Sequence, residues 1–203
     1  MTRLFGKNAR ARAARKALAR VQGRQPEPRK PRLVILWGLP GSGKSWYARW
    51  LQRRKSFLHV DTDALQGRAL DAGWFRTFNR ETPPEEYLDM VVLHGGPVVV
   101  EFGLWATPQN IALLARMRDA GAEPWFFHGD RTAAKEAWRR ENRLRQRNFE
   151  DGKWDQVVQK MDDNWGLIVD AVGENRMLRT IEAAERMTAE VIYDRMEVAR
   201  AVT

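Results

Sequence analysis

The chain has no cysteine among its 203 residues. That excludes a disulfide framework, a thiolate metal site and a cysteine nucleophile. Histidine is scarce: His59, His94 and His128 match neither a metal-ligand spacing nor a Ser/His/Asp arrangement. No apolar run approaches the roughly 18 residues needed to cross a bilayer, and the N-terminus lacks the apolar core of a secretory signal. These absences point to a reducing, cytoplasmic setting and away from serine hydrolases. There is no internal repeat, and the length suits one α/β domain with a sizeable core plus an extension.

Acidic residues are missing from one place in particular. The net charge is +9, yet residues 1–32 hold eleven Lys or Arg against a single acid, Glu27, and the remainder carries 24 basic and 25 acidic residues. The first 32 residues therefore account for +10 and the rest for −1. The stretch MTRLFGKNARARAARKALARVQGRQPEPRKPR predicts an Ala/Arg helix to about Val21, then a Pro-rich linker, placing a boundary between an extension over 1–31 and a domain over 32–203. Such a tail suits a solvated extension, an arm for nucleic acid or another anionic surface, or an Arg-rich transit peptide.

What is abundant is concentrated at LVILWGLPGSGKSW, residues 33–46. Leu33 to Trp37 is an unalternating apolar run, the pattern of a strand buried on both faces of a parallel sheet. The segment Gly38, Leu39, Pro40, Gly41, Ser42, Gly43, Lys44, Ser45 fits the phosphate-loop pattern G-x-x-x-x-G-K-[ST] between strand and helix. There backbone N–H groups wrap phosphates, the Lys ammonium reaches the β and γ oxygens, and the hydroxyl ligates Mg²⁺. Trp46 follows, where a small Ser or Thr is usual. The pattern predicts ATP or another NTP with Mg²⁺.

Further strands are predicted at SFLHV (56–60), PVVVEF (97–102), EPWFFHG (123–129) and RMLRTI (176–181). Helices are predicted over about 64–72, from Thr82 to Gly95, from Thr107 to Gly121, over 132–148, 154–172 and 184–200. Alternating strands and helices imply a three-layer α/β fold with a five-stranded parallel sheet and ligands at the strand carboxyl ends. Asp61 and Asp63 follow the second strand at that edge. One suits a general base for an attacking hydroxyl, the other a helix cap or a magnesium contact through water; we assign Asp63 as base and Asp61 to the metal. Glu101 ends the third strand, placed either to order magnesium's hydration shell or to pair with an arginine. AWRRENRLRQR puts Arg139 and Arg143 on one helical face, beside Arg140. They form either a solvated charged face or a lid, over about 131–165, that neutralises a transferring phosphoryl group. Trp138 and Trp154 near them suit core packing or base stacking.

With these residues in place, the chain resembles the P-loop kinase-like group that includes bacteriophage polynucleotide kinase, zeta toxins and chloramphenicol phosphotransferase. The likeness runs over about residues 33–200, through the phosphate loop, VVVEFGLW with TPQN after it, AGAEPWFFHGD and WRRENRLR. It implies a P-loop NTPase fold, Lys44 and Ser45 on phosphates and Mg²⁺, Asp63 as the base-like residue, Glu101 where Asp is more usual, and Arg139, Arg140 and Arg143 in the lid. The function expected is transfer of the ATP γ-phosphate to a hydroxyl-bearing acceptor: a nucleic-acid end, a nucleotide or a small molecule. The alternative is a nucleic-acid-associated NTP-binding or NTPase module that works through the basic tail.

Overall fold

The computed structural model describes residues 32–61, 84–103, 105–144 and 151–202. Chain contacts separate two compact units, Met1–Lys30 and Pro31–Thr203; the second contains every described residue. The basic tail, Asp63, the helix expected over 64–72 and the Thr82 cap lie outside the described residues.

The elements of the second unit are β1 (Leu33–Gly38), α1 (Lys44–Lys55), β2 (Leu58–Asp61), α2 (Pro84–His94), β3 (Val98–Glu101), α3 (Pro108–Asp119), β4 (Glu123–Gly129), α4 (Arg131–Leu144), α5 (Asp151–Asp163), α6 (Trp165–Val172), β5 (Met177–Glu182), β6 (Glu185–Arg186) and α7 (Ala189–Ala201). The sheet has the order β2-β3-β1-β4-β5-β6. Its first five strands are mutually parallel, and β6 returns antiparallel beside β5. No helix among the described residues is long and apolar enough to cross a membrane.

The central strands are largely apolar because both faces of the sheet are covered. Leu33, Ile35 and Trp37 of β1 join Val98, Val100 and Phe126 in one core, packed with α3, α5 and α6 through Leu114, Met117, Met161 and Ile168. The alternate residues Val34, Leu36, Val99, Trp125 and Phe127 form the second core with Tyr47 and Leu51 of α1 and Ile192 and Met196 of α7. The period-2 alternation of strand side chains thus builds two cores and three layers. Burying a side chain such as Ile35 or Leu36 contributes on the order of 2 kcal/mol.

Three sequence expectations are corrected. The sheet has six strands rather than five, and the last is antiparallel. The hairpin responsible turns through Ala183 and Ala184, both at positive φ (46° and 65°), without the glycine or asparagine that normally marks such a turn. The last helix consequently starts at Ala189, where the Thr188 hydroxyl accepts from the Val191 N–H, and not at 184. Finally, the stretch 154–172 is two helices. Asn164 separates them, its side-chain amide donating to the carbonyls of Ala106 (3.1 Å) and Lys160 (2.9 Å). The Thr107 cap and Pro108 start of α3 are as expected.

Because β1 has β3 on one side and β4 on the other, a crevice opens at its carboxyl end, the usual ligand position in such sheets. The turn there is crowded. A Cβ on Gly38 (φ +124°) would lie 2.2 Å from the Phe127 carbonyl oxygen, whereas one on Gly95 (φ +78°) would meet nothing within 4 Å. Gly38→Ala is therefore expected to destabilise the fold by more than about 2 kcal/mol, and Gly95→Ala by only about 1 kcal/mol of left-handed backbone strain. Urea unfolding of the two variants checks the difference.

Candidate phosphate-binding site

The loop between β1 and α1 is shaped by three glycines at positive φ: Gly38, Gly41 and Gly43. At Gly41 the first helix of the expected lid comes very close, since an added Cβ would stand 2.0 Å from the Ala134 carbonyl oxygen. The Leu39 N–H donates to the Phe127 carbonyl (2.9 Å) and the Ser42 N–H to the Leu39 carbonyl (3.1 Å). The Ser42 carbonyl accepts from the buried Thr180 hydroxyl (2.9 Å). Lys44 folds back over the loop, its ammonium donating to the carbonyls of Gly38 and Leu39, each at 3.0 Å. A glycine turn packed too tightly against Phe127, Ala134 and Arg186 to admit side chains, with a lysine across its mouth, leaves bare backbone suited to phosphate oxygens.

Behind the lysine is a buried carboxylate. Glu101 is 6 % exposed, and its two oxygens have separate partners. The Ser45 hydroxyl donates to Oε2 at 2.5 Å, and His59 Nε2 lies 2.5 Å from Oε1. An ionised carboxylate only accepts, so the imidazole proton belongs on Nε2. Burial alone pushes the Glu101 carboxyl up. The hydrogen bonds from His59 and Ser45, with the charges of His59 and Lys44, outweigh it and hold the group below its ordinary value. Parallel pairing sets Asp61 directly opposite Glu101, so two carboxylates stand at this edge beside Lys44. Among the described residues no three or more His, Cys, Asp or Glu cluster into a metal cage. One hydroxyl and one or two carboxylates suit Mg²⁺, which keeps several of its waters.

A cleft of about 1170 Å³ runs from this edge to α4 and α5. It brings together Gly38, Pro40, Gly41, Gly43, Lys44, Ser45, Trp46, Asp61, Glu101 and Arg140. Leu39 and Ser42 are buried beneath the loop. Arg139 and Arg143 sit on α4 but are not among the lining residues, and Arg143 is exposed. Asp63 lies outside the described residues. Helices α4 and α5 are tied to each other by Lys135–Asp155 (2.6 Å) and by Arg131–Asp162. Trp154 is 5 % exposed and belongs to the core, although its indole N–H also reaches the Pro40 carbonyl (3.4 Å).

Residues that sequence analysis did not assign complete the site. His59 grips Glu101 only because β2 pairs with β3, a contact that no local pattern announces. Arg186 lies in the unforeseen β6; it donates to the Gly41 carbonyl (2.9 Å) and stands over the Trp46 ring at 6.0 Å. Burial and the neighbouring charge of Arg140 push its pKa down, opposed by Glu141, so this end of the cleft carries concentrated positive charge. The bulky Trp46 thereby becomes a platform beside the loop.

The depressed Glu101 pKa has a definite sign in stability. It contributes above the unfolded-state value and is lost as pH falls through the lower folded-state value. Glu101→Gln is expected to remove this contribution, so that the wild-type urea midpoint falls more steeply than the variant's as the pH is lowered through and below the ordinary carboxylate range.

No family model matches the chain, and no curated protein matches it. Solved structures resembling it include a gluconokinase from Sinorhizobium meliloti 1021, 16% identical over 85% of this chain and 93% of its own, with a TM-score of 0.49. A shikimate kinase from Bacteroides thetaiotaomicron is 12% identical over 84% and 96%, with a TM-score of 0.43. A deoxyadenosine kinase from M. mycoides is 8% identical over 83% and 96%, with a TM-score of 0.42. At such distances these likenesses carry nothing about a substrate. The chain's own strand order, with a glycine-rich loop joining β1 to α1, is that of a three-layer α/β fold with a mostly parallel sheet.

Proposed function

We propose that the protein is an ATP- and Mg²⁺-dependent phosphotransferase with a hydroxyl acceptor. The observation that carries this reading is the buried Glu101, hydrogen-bonded to Ser45 and His59 beside a lysine-crossed glycine loop at the mouth of a large cleft. Mg²⁺, when bound, would neutralise and orient the β and γ phosphates. Ser45 would hold the metal directly, and Glu101 and Asp61 would order its waters. Lys44 would leave the Gly38 and Leu39 carbonyls for phosphate oxygens.

The transfer conserves atoms and charge. The acceptor oxygen forms a new bond to the γ-phosphorus as the bond to the β–γ bridging oxygen breaks and ADP leaves. The acceptor proton passes to a carboxylate after β2, which we assign to Asp63. Arg140 supplies positive charge from the cleft wall, and Arg139 and Arg143 are placed to add theirs if α4 and α5 close. Such a reaction rests on positioning and charge neutralisation more than on covalent chemistry.

The charge split between residues 1–32 and the rest of the chain supports a second reading, a nucleic-acid-associated NTP-binding module. Incubation with γ-labelled ATP, Mg²⁺ and a panel of alcohols separates the two. Label on an acceptor supports the phosphotransferase, and label reaching only water supports the module. Lys44→Ala is expected to abolish transfer and weaken nucleotide binding without unfolding the chain. Asp63→Asn is expected to slow transfer by about 10² to 10⁴ while ATP binding is kept. If Asp61→Asn is instead the severe change, the base is Asp61.

A further inference from the structure

We propose that Arg186 joins Lys44 in holding the phosphate chain of the nucleotide, placed beside the glycine loop by the β5–β6 hairpin rather than brought there by closure of α4 and α5. The inference rests on the nucleotide site of the phosphotransferase reading and assigns a further residue to it.

The hairpin fixes where the arginine starts. Antiparallel pairing sets Arg186 opposite Ile181, and the next N–H, that of Met187, donates to the Thr180 carbonyl (2.9 Å). Thr180 in turn donates its hydroxyl to the Ser42 carbonyl of the loop (2.9 Å). The turn that brings the chain back holds Ala183 and Ala184 at positive φ, a conformation disfavoured for alanine that persists only where its surroundings impose it. Such strain collects at ligand sites, and the arginine lies two positions further on.

Its guanidinium lies along the loop. Nη2 donates to the Gly41 carbonyl (2.9 Å), and a Cβ built on Gly43 would stand 3.1 Å from Nε and 3.3 Å from Cζ. Arg186 therefore reaches from Gly41 to the start of α1, where the free N–H groups of a helix favour an anion. A guanidinium has five N–H donors in a planar fork that matches phosphate oxygens. Among the described residues the bond to Gly41 engages only Nη2, which leaves Nε and Nη1 for a ligand. The side chain is exposed and lines the cleft with Arg49 and Arg140. Arg140 is near enough to push the Arg186 pKa down, with Glu141 opposing. Two guanidiniums so placed repel each other, and a polyanion in the cleft would relieve that. Residue 46 fits the same role. A Ser or Thr there would bring a hydroxyl to the first turn of α1, whereas Trp46 brings a ring that Arg186 stands over at 6.0 Å, so the added donor comes from β6. Arg139 and Arg143 do not line the cleft.

The test titrates the full chain with ATP and Mg²⁺ by calorimetry at several NaCl concentrations. Arg186→Met removes the charge and keeps a long side chain against Trp46. It is expected to weaken ATP binding by about 10- to 100-fold, the loss of a charge-assisted hydrogen bond. The wild-type affinity should also fall more steeply with NaCl than the variant's, because one exposed charge contact is gone. Without nucleotide the urea midpoint should be equal or higher, since Arg140 loses a like-charged neighbour. Unchanged ATP affinity in the variant overturns the inference and leaves the phosphotransferase standing. A weaker affinity with the wild-type salt dependence marks Arg186 as a brace for the loop and overturns the phosphate contact as well. Absence of ATP binding by a wild-type chain shown to be folded overturns both.

Discussion

The site depends on one carboxylate. Glu101 is buried at the end of β3, where desolvation works against its charge, and it stays ionised because Ser45 and His59 each take one of its oxygens. Unpaired, such a charge would be costly to bury. Each partner belongs to a different segment: Ser45 to the first turn of α1, His59 to the middle of β2. The carboxylate therefore pins the phosphate loop to both strands on its side of the sheet. The hydroxyl that would hold magnesium is kept in place before any nucleotide arrives. That is preorganisation, which removes part of the ordering cost from binding.

The sheet makes this grip geometrically possible. Register sets Asp61 beside Glu101 and Glu101 beside Leu36, two residues short of the loop's first glycine. Parallel pairing brings the carboxyl ends of β1, β2 and β3 to one edge, so acids far apart in the chain meet there. On the other side of β1, Arg186 reaches back across β5 to the Gly41 carbonyl. The loop is held from both sides, and α4 presses on it at Ala134 so closely that only glycine fits at position 41.

The glycine turn between β1 and α1 was fully legible in the sequence, because glycine spacing, the apolar run and Lys44-Ser45 are local signals. So were five of the six strands: β1, β3 and β4 as largely buried apolar runs, β2 and β5 as shorter mixed segments in the alternation of strands and helices. The β5–β6 hairpin was not, because its turn uses two alanines at positive φ and carries no residue that announces it. Arg186 was hidden with it. The break at Asn164 was obscured because both flanking segments are apolar on helical spacing, and only contact with the Ala106 carbonyl explains it. His59 could not have been assigned from sequence, since its partner lies 42 residues away on the neighbouring strand. The Arg139 and Arg143 pairing on one face of α4 was legible as periodicity, yet periodicity does not say which face meets the cleft, and Arg140 is the one that lines it.

We propose that the loop, Lys44, Ser45 and Glu101 form a magnesium-dependent nucleoside triphosphate site. Titration calorimetry of the full chain with ATP tests it most directly, with Mg²⁺ present and again with the metal chelated. Saturable binding of one ATP per chain is expected with Mg²⁺, weakened by chelation. Glu101→Gln should weaken binding with Mg²⁺ and leave metal-free binding little changed. No saturable binding of ATP or another nucleoside triphosphate in the presence of Mg²⁺, by a chain shown to be folded, would contradict it.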